Sequence, residues 1–78
     1  MIRPATPGLH HLALRTSDYA AAKRFYLETL GFEKLLEGEN IFLFLAGSTP
    51  VGVRGPEAGT PQGDRFDPYR VGLDHVAL

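Results

Sequence analysis

The sequence contains no cysteine, which excludes disulfide bonds and thiolate chemistry. It also lacks a long hydrophobic run. The longest, IFLFLA at residues 41–46, is far shorter than the roughly 20 residues that cross a bilayer. The opening residues MIRPATPG have no apolar centre of the kind found in a secretory signal peptide. These absences predict a soluble, cytoplasmic protein with no membrane partner.

Charge of one sign is also scarce, because the formal net charge is −1. A chain with this balance has little attraction for a phosphate backbone, so we expect no nucleic-acid partner. No Ser-His-Asp arrangement, phosphate-binding loop or dinucleotide fingerprint is visible. With 78 residues the chain forms one small domain at most. A domain of this size buries a modest fraction of its surface, so a partner subunit is expected.

A short repeat is the clearest positive feature. Residues 8–14 read GLHHLAL and residues 72–78 read GLDHVAL, and five of the seven positions match. The offset between the two copies is 64 residues. Repeats usually correspond to whole structural units. We therefore interpret the two segments as the first strands of two sister modules, the second of which is incomplete.

The pattern between the repeats predicts one helix and three further strands. Residues 9–15 alternate, so that Leu12 and Leu14 face a helix while His11 points to the opposite face. Ser17 or Asp18 can cap a helix over residues 19–30. The apolar stripe of this helix is formed by Ala22, Phe25, Tyr26 and Leu30. Further strands are predicted at residues 32–36, 41–46 and 51–54.

The predicted fold class is α+β: a β-α-β-β-β module with an extra C-terminal strand that begins a second, truncated module. The predicted boundaries are 1–54 for the first module, 55–71 for a linker and 72–78 for the strand of the second module. Three prolines and three glycines in residues 55–70 indicate the linker.

The stretch GLHHLALRTSDYAAAKRFYLETLGFE resembles the opening of a module of the vicinal oxygen chelate superfamily. That superfamily includes glyoxalase I, the bleomycin and fosfomycin resistance proteins and the extradiol dioxygenases. The features that match are the His-x-x-Leu strand, the Asp before the helix and the FY…LGF ending of the helix. The resemblance covers residues 8–54 and the restart at 72–78.

The resemblance implies paired modules whose sheets surround a cavity that holds a divalent metal ion such as Zn, Ni, Fe or Mn. It also implies that His11 and His75 are the first-strand metal ligands of the two modules. A glutamate is expected from the fourth strand, near residues 51–53, but that stretch is Val-Gly-Val. The nearest acidic residue, Glu57, lies in the linker.

Three functions follow from this resemblance. The first is a metal-dependent lyase, isomerase or dioxygenase that acts on a small oxygenated substrate. The second is a metal-free protein that binds a small molecule of the antibiotic type. The third is a shortened relative that retains only folding and association. In each case the expected partner is a second copy of the chain, with possible exchange of the last strand.

Several side chains have two interpretations. His11 and His75 are either metal ligands or hydrogen-bonded structural residues. Arg15 shares the face of His11 and either meets an anionic substrate or is simply solvated. The segment RFDPYR, residues 65–70, either closes over a ligand or connects two modules. Phe25 and Tyr26 are expected in the core, and no catalytic residue is assigned.

Overall fold

A computed structural model describes residues 3–78 of the chain. The elements occur in the predicted β-α-β-β-β order, so the α+β class is confirmed. The strands are β1 (Leu12–Arg15), β2 (Glu33–Glu37), β3 (Ile41–Ala46) and β4 (Thr49–Arg54). The helical part consists of α1 (Tyr19–Lys23), which continues directly into a π-helix (Arg24–Thr29).

The four strands form one mixed sheet in the order β1-β4-β3-β2. The first strand is parallel to β4, with Leu12 opposite Val51 and Leu14 opposite Val53. The remaining pairs are antiparallel, and the β2–β3 pair contains an irregularity between Lys34 and Leu36. Among the residues that the structure describes, β1 pairs only with β4 and therefore forms one edge of the sheet.

The hydrophobic core lies between the helix and one face of the sheet. Its buried side chains come from β3 and β4 and are Phe42, Phe44, Val51 and Val53. Burying a side chain of this size stabilises the fold by about 1.5–3 kcal/mol. The ring of Tyr26 stacks on that of Phe44, with a centroid separation of 4.9 Å. Leu12 and Leu14 pack against the same cluster, which confirms the predicted alternation in β1.

The helix begins where the sequence predicts, because the carboxylate of Asp18 accepts a hydrogen bond of 3.0 Å from the backbone N–H of Ala21. From Arg24 onward its hydrogen bonding changes from the α-helical to the π-helical pattern. The backbone N–H of Leu30 donates to the carbonyl oxygen of Phe25, five residues earlier, at 2.9 Å. The chain leaves the helix through Gly31, whose φ of 74° favours glycine.

The π-helical winding corrects one prediction about the core. Phe25 was expected to be buried, but its side chain is 48% exposed. In a π-helix each turn contains more residues than in an α-helix, so the apolar stripe expected from a period of 3.6 is displaced. As a result Leu27 packs against the core cluster together with Tyr26, and Leu30 is left exposed.

The predicted extra C-terminal strand is not formed. Residues 72–78 have no regular structure, and every residue from 61 to 78 is exposed. A strand needs a neighbouring strand for its backbone N–H and C=O groups, and within residues 3–78 this segment has none. The first strand is also shorter than expected, because it begins at Leu12 and not at residue 9. That residues 72–78 open a second module stays a prediction.

Candidate functional site

One face of the sheet is not covered by the helix. Tyr19 and Tyr26 both pack against Phe42, on the other face. Because side chains alternate along a strand, the neighbours of the core residues point away from the helix. We call this surface the open face. Its residues are Ala13 and Arg15 of β1, Leu36 of β2, Ile41, Leu43 and Leu45 of β3, and Pro50, Gly52 and Arg54 of β4.

The centre of the open face is apolar and has a low point at Gly52. In register, Ala13 lies opposite Gly52, Gly52 opposite Leu43, and Leu43 opposite Leu36. A Cβ atom at Gly52 would lie 3.8 Å from Cγ of Leu43, which is ordinary van der Waals contact. Because Gly52 has no side chain, the surface between Ala13 and Leu43 is lower than its surroundings, and we call this shallow depression the groove.

His11 directly precedes β1, and its exposed side chain contacts that of His10. The two Nδ1 atoms lie 2.8 Å apart, so that one ring donates a hydrogen bond to the other. The rings meet edge to face, with centroids 5.1 Å apart. This contact engages one nitrogen of each imidazole and leaves Nε2 of both rings for another partner.

His75 lies in the irregular C-terminal segment and is also exposed. Its Nδ1 atom is 2.7 Å from Oδ1 of Asp74, the residue that replaces His10 in the second copy of the repeat. Both repeat histidines therefore use Nδ1 for the preceding side chain. Their assignment as metal ligands stays a prediction.

Two arginines lie side by side at one end of the open face. Arg15 of β1 is in register with Arg54 of β4. Nη1 of Arg15 donates a hydrogen bond of 2.8 Å to the carbonyl oxygen of Gly55 and lies 3.5 Å from the carboxylate of Glu57. The prediction singled out Arg15 and missed Arg54. The signal for Arg54 is its register across a parallel strand pair, which local sequence patterns do not contain.

The family model for the Glyoxalase/Bleomycin resistance protein/Dioxygenase superfamily matches residues 8–78. The chain belongs to this superfamily. The resemblance of the opening motif to the vicinal oxygen chelate superfamily is thereby confirmed. The match includes the linker and the second copy of the repeat. A comparison with curated proteins found no match.

Many members of the superfamily use a divalent metal ion, but the residues described here do not form a complete set of metal ligands. Within residues 3–78, no three His, Cys, Asp or Glu side chains lie close enough together to hold a metal ion. The open-face positions of β4 are occupied by Pro50, Gly52 and Arg54, none of which has a carboxylate.

Glu57 does not replace the missing fourth-strand glutamate. Its carboxylate contacts Arg15 at 3.5 Å. Arg15 follows His11 by four residues, which corresponds to about 13 Å of extended chain. Glu57 therefore lies at the Arg15 end of the first strand, and no group of three metal-ligating side chains within residues 3–78 contains both Glu57 and His11.

The linker forms a cleft of about 690 Å³ beside the end of β1. Its wall includes Arg15, Glu57 and Arg65, and also Phe66, whose ring is exposed. Arg70 also lines the cleft and lies 3.6 Å from the carboxylate of Asp64. The segment RFDPYR thus lies beside Arg15, and the rings of its two aromatic residues are exposed and not packed between two modules.

Among residues 3–78 no helix is long and apolar enough to cross a membrane.

Proposed function

We propose that this member of the superfamily binds a small apolar molecule on the open face of its sheet, without a metal ion. The observation that carries the proposal is the composition of β4, whose open-face positions hold a proline, a glycine and an arginine where the family resemblance implies a glutamate ligand. The groove over Gly52, flanked by Ala13 and Leu43, supplies apolar surface for a ligand.

A second module completes the site by covering the open face from the other side. Two observations support a homodimer as the source of that module. The first strand forms a free edge of the sheet, and Leu73, Val76 and Leu78 of the C-terminal segment are exposed. An apolar segment and an unpaired edge favour strand addition between copies. If the subunits exchanged residues 72–78, the apolar segment would be covered and the edge strand would be paired.

Sedimentation velocity tests this assembly. We expect a dimer for the full chain and a shift to monomer for a Val76→Glu variant, because a charge would then be buried at the new strand pair. An Ala58→Glu variant adds the same charge to an exposed linker position and should remain dimeric. A monomeric wild-type chain at micromolar concentration would contradict the homodimer.

The binding proposal is tested with N-phenyl-1-naphthylamine, an uncharged apolar dye whose fluorescence rises in apolar surroundings. We expect the dye to bind the wild-type chain and to bind a Gly52→Val variant more weakly, because the new side chain occupies the floor of the groove. A Ser48→Val variant places the same side chain on an exposed turn and serves as the control. Equal binding to the two valine variants would rule out the groove.

A metal-dependent lyase, isomerase or dioxygenase is the second candidate. It is favoured by the repeat, in which His11 and His75 occupy the same position, so that two associated modules would each contribute one imidazole. Elemental analysis of untagged protein, purified without chelator, separates the two functions. A stoichiometric metal that is lost in a His11→Ala, His75→Ala variant but kept in His10→Ala would favour the enzyme. Folded wild-type protein without metal would favour the metal-free binding protein.

A further inference from the structure

The open face carries an uncompensated positive charge at one end. Arg15 and Arg54 occupy directly opposed positions of the parallel β1–β4 pair. Neighbouring strands are about 4.8 Å apart, and like charges placed directly opposite one another destabilise a sheet. Each guanidinium group carries a positive charge, so the two side chains repel each other unless an anion lies between them.

The protein supplies only part of the counter-charge. Glu57 lies 3.5 Å from Arg15, and the carbonyl oxygen of Gly55 accepts a hydrogen bond from the same guanidinium. The side chain of Arg54 has no ion pair and no hydrogen bond with any residue from 3 to 78. Among residues 3–78, the carboxylate of Glu57 is thus paired with Arg15 and not with Arg54.

The charged end is continuous with the apolar centre of the open face. Arg54 is in register with Ile41 of β3, and Gly52 and Leu43 form the next row on the same face. Two residues along a strand span about 7 Å. If the anionic group of a ligand contacts Arg54, the next four to six carbon atoms of that ligand therefore lie over the groove at Gly52.

We infer that the ligand of this surface is an organic carboxylate with an apolar body, and that Arg54, next to Arg15, binds its carboxylate. Arg54 can donate two parallel hydrogen bonds to a carboxylate, and the carboxylate offsets the repulsion between the two arginines. The apolar body lies over Gly52 and Leu43. This inference rests on the proposed function, because it requires the open face to be the ligand-binding surface.

Octanoate and octanamide provide a matched pair of probes, because they have the same apolar chain and differ in charge. We titrate each into isotopically labelled full-length protein and follow the backbone amide resonances of Gly52, Leu43 and Arg54. The wild-type chain should bind octanoate about tenfold more tightly than octanamide, the ratio expected from one additional hydrogen bond to a charged group. Both probes should shift the resonances of Gly52 and Leu43.

Three variants test whether the preference for octanoate over octanamide depends on Arg54. Arg54→Gln should reduce the preference for octanoate to about one, and Arg54→Lys should keep part of it, because the charge remains but the two parallel hydrogen bonds are lost. Arg24→Gln removes an exposed arginine from the π-helix and should keep the full preference. Since no hydrogen bond or ion pair joins the side chain of Arg54 to residues 3–78, its removal should leave the amide spectrum of the unliganded protein otherwise unchanged.

The outcomes separate the inference from the proposed function. If both probes shift Gly52 and Leu43 with equal affinity, the open face binds apolar ligands but the carboxylate assignment is wrong. A preference for octanoate that survives in Arg54→Gln would also overturn the inference. If neither probe shifts these resonances, the open face is not the ligand surface, and the proposed function fails together with the inference.

Discussion

Replacement by alanine should change the free energy of unfolding in opposite directions at Gly52 of β4 and at Gly55, which directly follows that strand. Gly52 has no positive φ, and a Cβ atom built there makes ordinary contacts, at 3.8 Å from Leu43 and 3.9 Å from the carbonyl oxygen of Leu12. Gly52→Ala therefore restricts the unfolded chain without straining the folded one. We expect the free energy of unfolding to rise by about 0.5–1 kcal/mol.

At Gly55 the same change should destabilise the protein. A Cβ atom at this buried position would overlap Oδ1 of Asn40 and lie 3.0 Å from Cβ of Tyr19. The side chain of Asn40 would have to move, which breaks its hydrogen bond of 3.1 Å to the carbonyl oxygen of Pro56. Overpacking of this kind costs about 1–3 kcal/mol.

Urea denaturation followed by circular dichroism measures both effects, at one fixed protein concentration because association shifts apparent stability. In thermal denaturation followed by the same signal, Gly52→Ala should raise the melting temperature of a domain of this size by about 2–8 °C. The slope of the urea transition should be unchanged in both variants. A lower stability for Gly52→Ala, or a higher one for Gly55→Ala, would refute the packing described for this strand. A natural glycine at a position that tolerates alanine is consistent with selection for an open groove over stability.

Three further predictions concern the core, the helix cap and the two surface ion pairs of Glu37. Phe44→Ala should lower the free energy of unfolding by about 3–5 kcal/mol, measured by urea denaturation, because this ring is fully buried. Asp18→Ala should cost about 1 kcal/mol and Asp18→Asn much less, since only the first loses the cap. A hydrogen bond from Lys23 and a second from Lys34 hold the pKa of Glu37 below its ordinary value of 4.5. The stabilisation from this ionised carboxylate is therefore complete above that value and is lost as the pH falls through the lowered pKa. The urea midpoints of wild-type and Glu37→Gln protein should accordingly differ near neutral pH and converge once the pH lies below the lowered pKa; a difference that persists in stronger acid would contradict the two ion pairs.

Local patterns predicted those parts of the fold that local interactions determine. The cap at Asp18 and the bounds of β3 at residues 41–46 agree with the structure, because a cap and an apolar run are both encoded by consecutive residues. The exposure of Phe25 was not predictable, since a period of 3.6 does not reveal a change to π-helical winding. The extra strand at 72–78 requires a neighbouring strand, and residues 3–78 of the single chain do not provide one.

The candidate site was only partly predictable for a related reason. Arg15 could be placed on the face of His11 from alternation alone. Arg54 could not, because its pairing with Arg15 depends on the register between strands that are far apart in the chain. The lack of a carboxylate on the open face of β4 could not be established from the sequence, because only the register with β3 places Pro50 and Gly52 on that face.

The parallel pairing of β1 with β4 also bears on the order in which the domain assembles. Leu12 pairs with Val51, 39 positions further along the chain, whereas β2, β3 and β4 are joined by short turns. Closing the longer loop costs more entropy, so the three-stranded meander should form first and β1 should dock last. In native-state hydrogen exchange the amides of β1 should consequently open before those of β3 and β4. Each opening would separate Arg15 from Arg54, so that the lifetime of a bound ligand is limited by the detachment of a four-residue strand.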